Sequence, residues 1–410
     1  MRILYIDHYI GSLRHGMEFR PYYIAREWVR LGHHVTMVGA SYAHVRSRQP
    51  DTHGPVTEES IDGIDYRWLQ TPAYEGNGGQ RVRNMLAFVR ALYGQRSRFV
   101  SERPDVVIAS STYPWDIYPA RSIARRTGAR LVFELHDLWP MSPQEIGGLS
   151  RWHPFIMAIQ HGEDYACRHA DAIVSILPHA DRHLLTRGMP AERYHHVPNG
   201  IDFDEWDTDY RAPPNAATEL CAQLRAQGRL VIGYAGSHSP GNALDTLLDL
   251  AASVDDLPVS IVLVGSGPSK PGLIEAARRR GLAHLHFTDP VPKADVPDTL
   301  RAFDALYYGL IPSPLYRFGV SANKLFDYMA AGRPIIQSNN ASNDLVGEAG
   351  CGFSVGPNDV PALTSVVRQL LALSPAERQA MGERGERFVR EHHDHRVLAK
   401  RFLAAIDPSA

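Results

Sequence analysis

A chain of 410 residues exceeds the length that one hydrophobic core usually spans, so two domains are expected. The hydrophobic fraction of 44% and the charged fraction of 21% are ordinary for a globular protein, and a net charge of −2 gives no sign of nucleic acid as a partner. The three cysteines are widely spaced and form no CxxC grouping, which argues against a disulfide framework or a structural zinc site and favours a reducing compartment.

The chain begins with a short apolar strand that ends at Asp7. A secretory signal would have a basic start, a longer apolar run and a small-residue cleavage site, and none of these is present. No run approaches the ~18 apolar residues of a membrane span. We therefore expect a cytoplasmic protein, and association with the cytoplasmic face of a membrane stays open.

Short apolar runs alternate with amphipathic stretches in the first half of the chain, which is typical of a parallel α/β sheet. A helix of about 20–31 follows the first strand, and Gly32 ends it. The turn-rich segment 54–79 allows a hairpin pair near Ile64–Leu69. Strands are predicted at Ile3–Ile6, Val35–Val38, Val106–Ala109, Leu131–Leu135, Ala172–Ile176 and His195–Val197.

The same pattern starts again after a polar connection at 198–215. A helical tail of about 362–403 follows it. The sequence thus predicts two tandem Rossmann-like domains, 1–199 and 200–388, and a C-terminal helix at 389–410 that packs back on the first domain. Ligands of open α/β sheets bind beyond the carboxyl ends of the strands, so the crevice between the domains is the expected site. The second set of strands is predicted at Leu230–Tyr234, Ser260–Val264, Leu285–Phe287, Ala305–Tyr308, Pro334–Gln337 and Gly352–Val355.

The segment 313–334 is the strongest candidate for binding chemistry. A helix is predicted to begin at about Asn323, and the free N–H groups and positive dipole end of a helix N-terminus suit a phosphate. Lys324 adds a charge in the first turn, and the carboxylate of Asp327 one turn later can accept hydrogen bonds from ribose hydroxyls. Lysine is rare here, since only four of the 43 basic residues are lysine. The alternative is a solvated Lys–Asp pair at i,i+3.

Two candidates lie in the first half of the chain. Gly16, in the loop between the first strand and the first helix, allows close approach of the backbone to a phosphate or sugar, and a simple turn glycine is the alternative. His136 and Asp137 follow the strand Leu131–Leu135, so the topology brings them to the crevice. A histidine bonded to a backbone carbonyl at a strand end is the structural alternative for His136.

Five segments in this order and spacing resemble retaining glycosyltransferases of family 4, which have the GT-B fold. The resemblance covers nearly the whole chain and is closest to the WbuB-like branch, whose members mostly transfer N-acetylated 6-deoxy sugars such as N-acetylfucosamine. The segments are His15–Trp28, Glu134–Pro140, Val197–Asp202, Leu263–Pro268 and Asn323–Pro334.

The sequence departs from the family pattern at two points. The family has two glutamates eight positions apart, and the first of them contacts hydroxyls of the donor sugar. In this sequence the second position is Asp327 and the first is Gly319. The Arg and Lys that commonly grip the diphosphate after the first strand of the second domain are absent from the loop 236–242. Lys324 is expected to supply that charge, with Ser237 and His238 as hydrogen-bond donors.

The resemblance implies roles for the remaining site residues. His136 corresponds to the residue that contacts the transferred sugar near the reacting centre. Val291 lies where family members contact the base through the backbone, and Ser321, Ala322 and Asn323 form the start of the phosphate-binding helix. The donor is expected to be a UDP-linked sugar acting as co-substrate, although no residue specifies uracil over guanine or thymine. No cofactor or metal is implied, because the helix dipole and basic side chains stabilise the departing diphosphate.

The segment from Gln80 to Ser101 carries five arginines and no acid. At helical spacing its apolar residues, among them Met85 and Tyr93, fall on one face, and Arg83, Arg90 and Arg98 fall opposite or beside it. That pattern is typical of a helix on an anionic membrane surface, and an ordinary helix packed on the first domain is the alternative.

These observations predict a retaining glycosyltransferase that moves a sugar from a nucleotide diphosphate to a hydroxyl acceptor. The family's acceptors imply a lipid-linked saccharide in surface polysaccharide synthesis. The alternatives are a nucleotide-sugar epimerase of the same fold, a two-lobed solute-binding protein, which the missing signal peptide disfavours, and a glycosyltransferase that acts on a small natural product.

Overall fold

The computed structural model describes residues 1–16, 19–76 and 78–407. Met17 and Glu18 of the predicted motif, and the last three residues of the predicted C-terminal helix, lie outside the described residues. The chain divides into two compact units. The first unit contains Met1–Asn199, Phe318–Val320 and His395–Ala410, and the second unit contains Gly200–Arg317 and Ser321–Asp394.

The first unit is built on an eight-stranded sheet of order β3-β4-β2-β1-β5-β6-β7-β8, in which only β3 and β4 pair antiparallel. These two strands are the hairpin that the turn-rich segment predicted. Its elements are β1 (Arg2–Ile6), α1 (Phe19–Arg30), β2 (His34–Ala40), β3 (Val56–Ile61), β4 (Ile64–Leu69), α2 (Gly79–Gly94), α3 (Arg96–Ser101), β5 (Val106–Ala109), α4 (Ile117–Thr127), β6 (Arg130–Leu135), α5 (Met141–Glu145), α6 (Pro154–His169), β7 (Ala172–Ser175), α7 (Asp181–Leu184) and β8 (Tyr194–His196).

Helices cover both faces of this sheet, which explains why its inner strands β1, β5 and β7 are almost continuously apolar. Successive side chains of β1 enter opposite cores: Ile3 and Tyr5 pack with α1, whereas Leu4 and Ile6 pack with residues of α2 and α4. The order of the strands reverses between β1 and β5. The carboxyl ends of β1, β5 and β6 therefore form the switch point of this sheet, where ligands of such folds bind.

The second unit is built on a six-stranded parallel sheet of order β11-β10-β9-β12-β13-β14, which reverses between β9 and β12. Its elements are α8 (Phe203–Trp206), α9 (Ala216–Ala226), β9 (Leu230–Ala235), α10 (Asp245–Ser253), β10 (Val259–Val264), α11 (Lys270–Arg279), β11 (Leu285–Thr288), α12 (Val296–Arg301), β12 (Ala305–Gly309), α13 (Asn323–Ala330), β13 (Ile335–Ser338), α14 (Leu345–Ala349), β14 (Gly352–Val355), α15 (Val360–Ala372) and α16 (Pro375–His392). The expectation of two parallel α/β domains is confirmed.

The last helix, α17 (His395–Ile406), belongs to the first unit, where the indole of Trp28 donates to the carbonyl of Ala399 over 3.0 Å. The returning segment begins at His395 and not at the expected 389. The reason is that the end of α16 stays in the second unit, since Val389 is part of its core and His393 stacks on Phe326 at 4.5 Å.

Candidate functional site

A cavity of about 570 Å³ lies at the carboxyl ends of three neighbouring strands of the second unit. Backbone of the loops after β9, β10 and β11 forms most of its wall, and α13 closes one side. This is the switch-point position at which open α/β sheets bind ligands. The cavity is lined by Ala235, Gly236, Ser237, Val264, Gly265, Ser266, Gly267, Pro290, Val291, Val296, Leu300, Lys324, Asp327 and Tyr328.

Lys324 is the basic side chain of this cavity. Helix α13 begins at Asn323, so Lys324 lies in its first turn, as the sequence predicted. The ammonium donates to the hydroxyl of Tyr234 over 2.7 Å and to the side-chain carbonyl of Asn242 over 2.9 Å. It also lies 4.3 Å from the centre of the Tyr234 ring, which favours a cation. No carboxylate within 4 Å of it is present in the described part of the chain, so its charge is held by neutral groups and is available to an anion.

The Lys324 side chain crosses the backbone of Gly236 at the end of β9. A Cβ built on Gly236 would lie 2.8 Å from the Cε of Lys324, and Gly236 has a φ of +148°. Glycine is therefore required for the lysine to reach its partners. Burial lowers the pKa of Lys324 to about 8, because the charged form is poorly solvated without a bound anion.

Asp327 and Val291 line the same cavity as Lys324. Burial raises the pKa of Asp327 to about 7. The positive charge of Lys293 lowers this pKa but does not cancel the effect of burial. The hydroxyl of Tyr328 joins α13 to the end of β9, since it accepts from the N–H of Ala235 over 2.8 Å and bonds the carbonyl of the same residue at 3.0 Å. This bridge holds α13 against the end of β9.

The structure does not bring every predicted donor-site residue to the cavity. Ser237 lines it, but the side chain of His238 is fully buried beneath the 265–267 turn, between the rings of Tyr234 and Phe287. The expectation that His238 donates to a diphosphate is therefore corrected to a packing role. Burial lowers its pKa to about 4, and the lysine charges of Lys270 and Lys324 add to that effect. The imidazole is thus neutral at pH 7.

Three further predicted residues precede or open α13. Ser321 is buried, Ala322 is half-buried and occupies the N-cap position, and Asn323 is exposed at the first helical position. None of the three lines the cavity as the described residues define it. Any contribution they make to anion binding would come through the N–H groups of the first turn, which have no acceptor within the helix.

A second cavity of about 470 Å³ adjoins Asp327 from the other side. Its wall is largely apolar, with Trp206, Tyr210 and Val296, and the Lys293–Glu205 ion pair of 2.7 Å lies at its edge. The ammonium of Lys293 is thus already paired with a carboxylate. Asp327 is common to both cavities.

In the first unit, His136 lies at the switch point of the sheet, after the end of β6. Its Nε2 is 2.8 Å from the hydroxyl of Ser110 and 3.3 Å from a carboxylate oxygen of Glu134. Burial lowers the pKa of His136, but the adjacent Glu134 carboxylate outweighs burial and raises it above the ordinary value. This histidine is bonded to side chains and not to a backbone carbonyl, so the structural alternative for it does not hold.

Glu134 is the centre of a fully buried network. Its carboxylate accepts from Arg20 over 3.0 Å, from Ser110 over 2.7 Å and from the hydroxyl of Tyr5. Burial opposes its ionisation, yet His136 and Arg20 hold the pKa of Glu134 well below its usual range. Glu134 therefore stays ionised and fixes the Nε2 side of the His136 ring.

Gly16 adopts a left-handed φ of +62°, and a Cβ there would lie 2.3 Å from the hydroxyl oxygen of Ser47. Its N–H donates to the carbonyl of Ser12 over 2.9 Å. The turn geometry alone therefore accounts for glycine at this position, and its predicted contact with the donor stays a prediction.

The two halves of the chain match two families. Residues 15–200 match the family described as "Glycosyl transferase 4-like domain", and residues 229–373 match "Glycosyl transferases group 1". Each half of the chain thus matches a glycosyl transferase family, and the prediction of a glycosyltransferase is confirmed at the level of these matches.

The transferase is similar to proteins named for polysaccharide synthesis. It is 24% identical to TuaH of Bacillus subtilis (strain 168), named for teichuronic acid biosynthesis as a glycosyltransferase, over 58% of this chain and 54% of TuaH. It is 25% identical to WcaI of Escherichia coli (strain K12), named for colanic acid biosynthesis as a glycosyl transferase, over 62% of this chain and 63% of WcaI. The chain thus spans little more than half of the relatives it matches.

The fold of the transferase is also that of HepE of Anabaena, whose crystal structure contains UDP-glucose. The two share 16% identity with a TM-score of 0.65 over 98% of both chains. At this identity the likeness concerns the fold. The GT-B fold, two parallel-sheet α/β domains, is therefore confirmed.

Two features are absent from residues 1–16, 19–76 and 78–407. Helices of sufficient length and apolar character to cross a bilayer are not found among them. Likewise, within these residues no three His, Cys, Asp or Glu side chains gather as they would around a metal ion.

The residues that hold the predicted site residues in place were not predicted from the sequence. Tyr234 and Asn242 hold Lys324, and Ser110 and the Glu134 carboxylate hold His136. A tyrosine inside an apolar strand, as at 234, was a usable signal, because a buried hydroxyl needs a partner. Glu134 inside the apolar strand β6 was a second such signal.

Proposed function

We propose that this chain is a retaining glycosyltransferase that transfers a sugar from a nucleotide diphosphate, expected to be UDP, to a hydroxyl acceptor. The observation that carries the proposal is the cavity of the second unit at the ends of β9, β10 and β11. There a lysine with no carboxylate partner among the described residues, a helix N-terminus and a carboxylate converge. A nucleoside diphosphate has the matching groups: two anionic phosphates and a ribose with two hydroxyls.

In this proposal the leaving group is stabilised by Lys324 and the first turn of α13. The bond between the anomeric carbon and the diphosphate oxygen breaks, and both electrons go to the diphosphate. Lys324 reaches the cavity already held by Tyr234 and Asn242, so it needs little reorganisation as negative charge develops. The carboxylate of Asp327 accepts from the ribose hydroxyls, and the backbone near Val291 contacts the base.

The acceptor hydroxyl attacks the anomeric carbon from the face that the diphosphate leaves, within a short-lived ion pair, and its proton passes to the departing diphosphate. We assign His136 to the transferred sugar, as the family resemblance implies. The Glu134 carboxylate, which raises the pKa of His136, supports its protonated form, a hydrogen-bond donor suited to sugar oxygens. The WbuB-like resemblance makes an N-acetylated 6-deoxy sugar the first donor to test.

We propose a lipid-linked saccharide as the acceptor, and the surface of α2 supports contact with an anionic membrane. The packed side of α2 carries Met85, Phe88 and Leu92, which were not predicted as one face. Its exposed side carries Arg83, Leu86, Arg90 and Tyr93 at helical spacing. The helix therefore packs on the unit and still presents cations beside apolar groups.

Arg98 does not belong to that exposed surface, because it pairs with Glu58 and Glu102. Arg83 and Arg90 have no ion pair within the described part of the chain. The predicted contact with the membrane thus rests on two of the three arginines first proposed.

A panel of nucleotide sugars tests the proposed function. The protein is incubated with each donor, and release of nucleoside diphosphate is followed with and without a hydroxyl acceptor. Slow release from one donor, accelerated by the acceptor, would support transfer and identify the sugar. Conversion of a nucleotide sugar to an isomer without release of diphosphate would instead indicate an epimerase, and binding without turnover of any donor would indicate a solute-binding protein.

A further inference from the structure

Four large apolar side chains are exposed along twelve residues of the first unit, between α5 and the first turn of α6. Their exposed fractions are 70% for Ile146, 37% for Leu149, 68% for Trp152 and 52% for Met157. We call these four residues the exposed segment. The other five tryptophans of the chain are buried or half-buried. Clusters of exposed apolar side chains on a protein surface mark binding sites for other molecules.

The exposed segment lies beside the basic helix α2. Val82 and Val89 of α2 pack in one apolar cluster with Phe155 and Ile159 of α6, so the two helices are neighbours. Tyr93 at the end of α2 is close enough to Tyr165 of α6 to affect its ionisation. The exposed side of α2 and the exposed segment therefore form adjoining parts of one surface.

The charge of this surface is mainly positive, and the exposed carboxylates of Glu75 and Glu145 lie at its border. Residues 146–162 contain no acid, and neither do residues 76–101. Arg151 lies over the ring of Trp152, with its guanidinium carbon 4.7 Å from the ring centre. Arg83 and Arg90 project from α2 next to Leu86. The nearest acids along α6 are Glu163, which is buried, and Asp164, which is paired with Arg187.

We propose that the exposed segment inserts into the interface of an anionic lipid bilayer while Arg83 and Arg90 contact the lipid headgroups. Tryptophan with a neighbouring arginine is suited to this interface, since the ring is apolar and its N–H and the cation stay hydrated. The exposed apolar groups are four side chains within twelve residues, which is a small apolar area. A protein partner would be expected to meet a broader surface of about 800 Å².

This proposal rests on the proposed function, because the exposed segment would bring the enzyme to a lipid-linked acceptor. Binding to the bilayer is nevertheless a separate step from sugar transfer. Donor hydrolysis in solution, measured without lipid, therefore reports on the proposed function, and binding to lipid vesicles reports on this inference. Failure of one does not imply failure of the other.

The fluorescence of Trp152 serves as an intrinsic probe of membrane binding. The full chain is mixed with phosphatidylcholine vesicles that contain phosphatidylglycerol, and tryptophan emission is recorded together with co-sedimentation. We expect the emission of the bound protein to shift to shorter wavelength and to be shielded from acrylamide. Trp152→Phe should remove most of that shift while binding persists, because the remaining tryptophans are already buried or half-buried.

Two sets of variants measure binding. Ile146→Ser with Trp152→Ser should weaken binding by about 10- to 100-fold, from the apolar area lost to the interface. Arg83→Gln with Arg90→Gln should weaken it by about 30-fold in low salt, and less in high salt. Matched controls on the exposed surface of α11, Ile274→Ser and the pair Arg278→Gln with Arg279→Gln, should bind like wild type.

The inference is wrong if wild-type protein does not sediment with anionic vesicles. It is also wrong if the Ile146/Trp152 variant binds as well as the Ile274 control, or if emission does not shift when the protein is bound. Sedimentation velocity without lipid measures the oligomeric state. If the wild-type protein is a dimer and Trp152→Ser is a monomer, this surface is an interface between two copies of the chain and the proposal is overturned. Near-ultraviolet circular dichroism of each variant establishes that it is folded.

Discussion

Replacing Lys324 by alanine tests the binding of the diphosphate most sharply. The ammonium has three N–H donors, of which two are engaged with Tyr234 and Asn242, so one donor and the charge remain for a ligand in the cavity that Lys324 lines. A charge-assisted contact of this kind contributes roughly 1.5 to 3 kcal/mol. Lys324→Ala should therefore weaken nucleoside diphosphate binding by about 10- to 100-fold, whereas the nucleoside without phosphates should bind mutant and wild type alike.

The same substitution should hardly change the stability of the ligand-free protein. Burial lowers the pKa of Lys324 to about 8, so the charge is itself unfavourable without an anion. Its loss offsets the two lost hydrogen bonds, and the hydroxyl of Tyr234 keeps its bond to the carbonyl of Ser237 at 2.6 Å. The free energy of unfolding should then change by no more than about 1 kcal/mol.

Isothermal titration calorimetry with UDP and with uridine measures both affinities, and a thermal melt without ligand measures stability. Lys400→Ala is the matched control, because Lys400 is an exposed lysine of α17 in the other unit. Equal affinity for UDP in Lys324→Ala and wild type would refute the reasoning and would locate the diphosphate elsewhere, for example on the Ser237–Asn242 loop. A melting temperature far below wild type would mean that Lys324 mainly supports the fold.

Asp327→Asn should weaken uridine and UDP together, by about 10-fold or more in titration calorimetry, because both ligands carry the ribose. UDP affinity should be highest between pH 7 and 8, because Asp327 ionises above its pKa of about 7 and Lys324 loses its proton above its pKa of about 8. Asp327→Asn should remove the decrease in affinity on the acid side, and Lys324→Ala should remove the decrease on the alkaline side. The pKa of Asp327 is higher in the folded protein than in the unfolded chain, so the free energy of unfolding decreases as the pH rises to about 7. At pH 8 the melting temperature of Asp327→Asn should therefore be higher than that of wild type. His136→Ala should lower single-turnover rates far more than UDP affinity, and near wild-type turnover would exclude it from the reaction. Turnover should survive excess EDTA, whereas its loss and recovery with magnesium or manganese would contradict leaving-group stabilisation by the protein alone.

The parallel strands of both sheets could be predicted to within about two residues, because most of them are buried and read as short apolar runs. The antiparallel strand β3 was not delimited, because its sequence is polar and it is mostly half-buried or exposed. The orientation of α2 could not be predicted from the sequence. Apolar residues occupy more than half of its circumference, so the spacing alone does not show which of Met85 and Leu86 faces inward. Contacts with Trp115 and Ile159, far along the chain, decide that Met85 is buried.

Part of the binding cavity could be predicted from local spacing in the sequence. Lys324 and Asp327 lie in one helix start, so local spacing brings them together. Tyr234, which holds Lys324, is ninety positions away and reaches it only through the packing of β9 against α13. The expectation for His238 was wrong because neighbouring side chains in a turn leave on different sides: Ser237 faces the cavity and His238 faces the core.

The most direct test of the account is the anomeric configuration of the sugar that the enzyme releases. Proton nuclear magnetic resonance follows the anomeric signals while the protein hydrolyses or transfers the donor found in the nucleotide-sugar panel. The account predicts that nucleoside diphosphate appears in equal amount with a sugar whose first-formed anomer has the configuration of the donor. A first-formed sugar of the opposite configuration, or an isomerised nucleotide sugar without free diphosphate, would contradict retaining transfer.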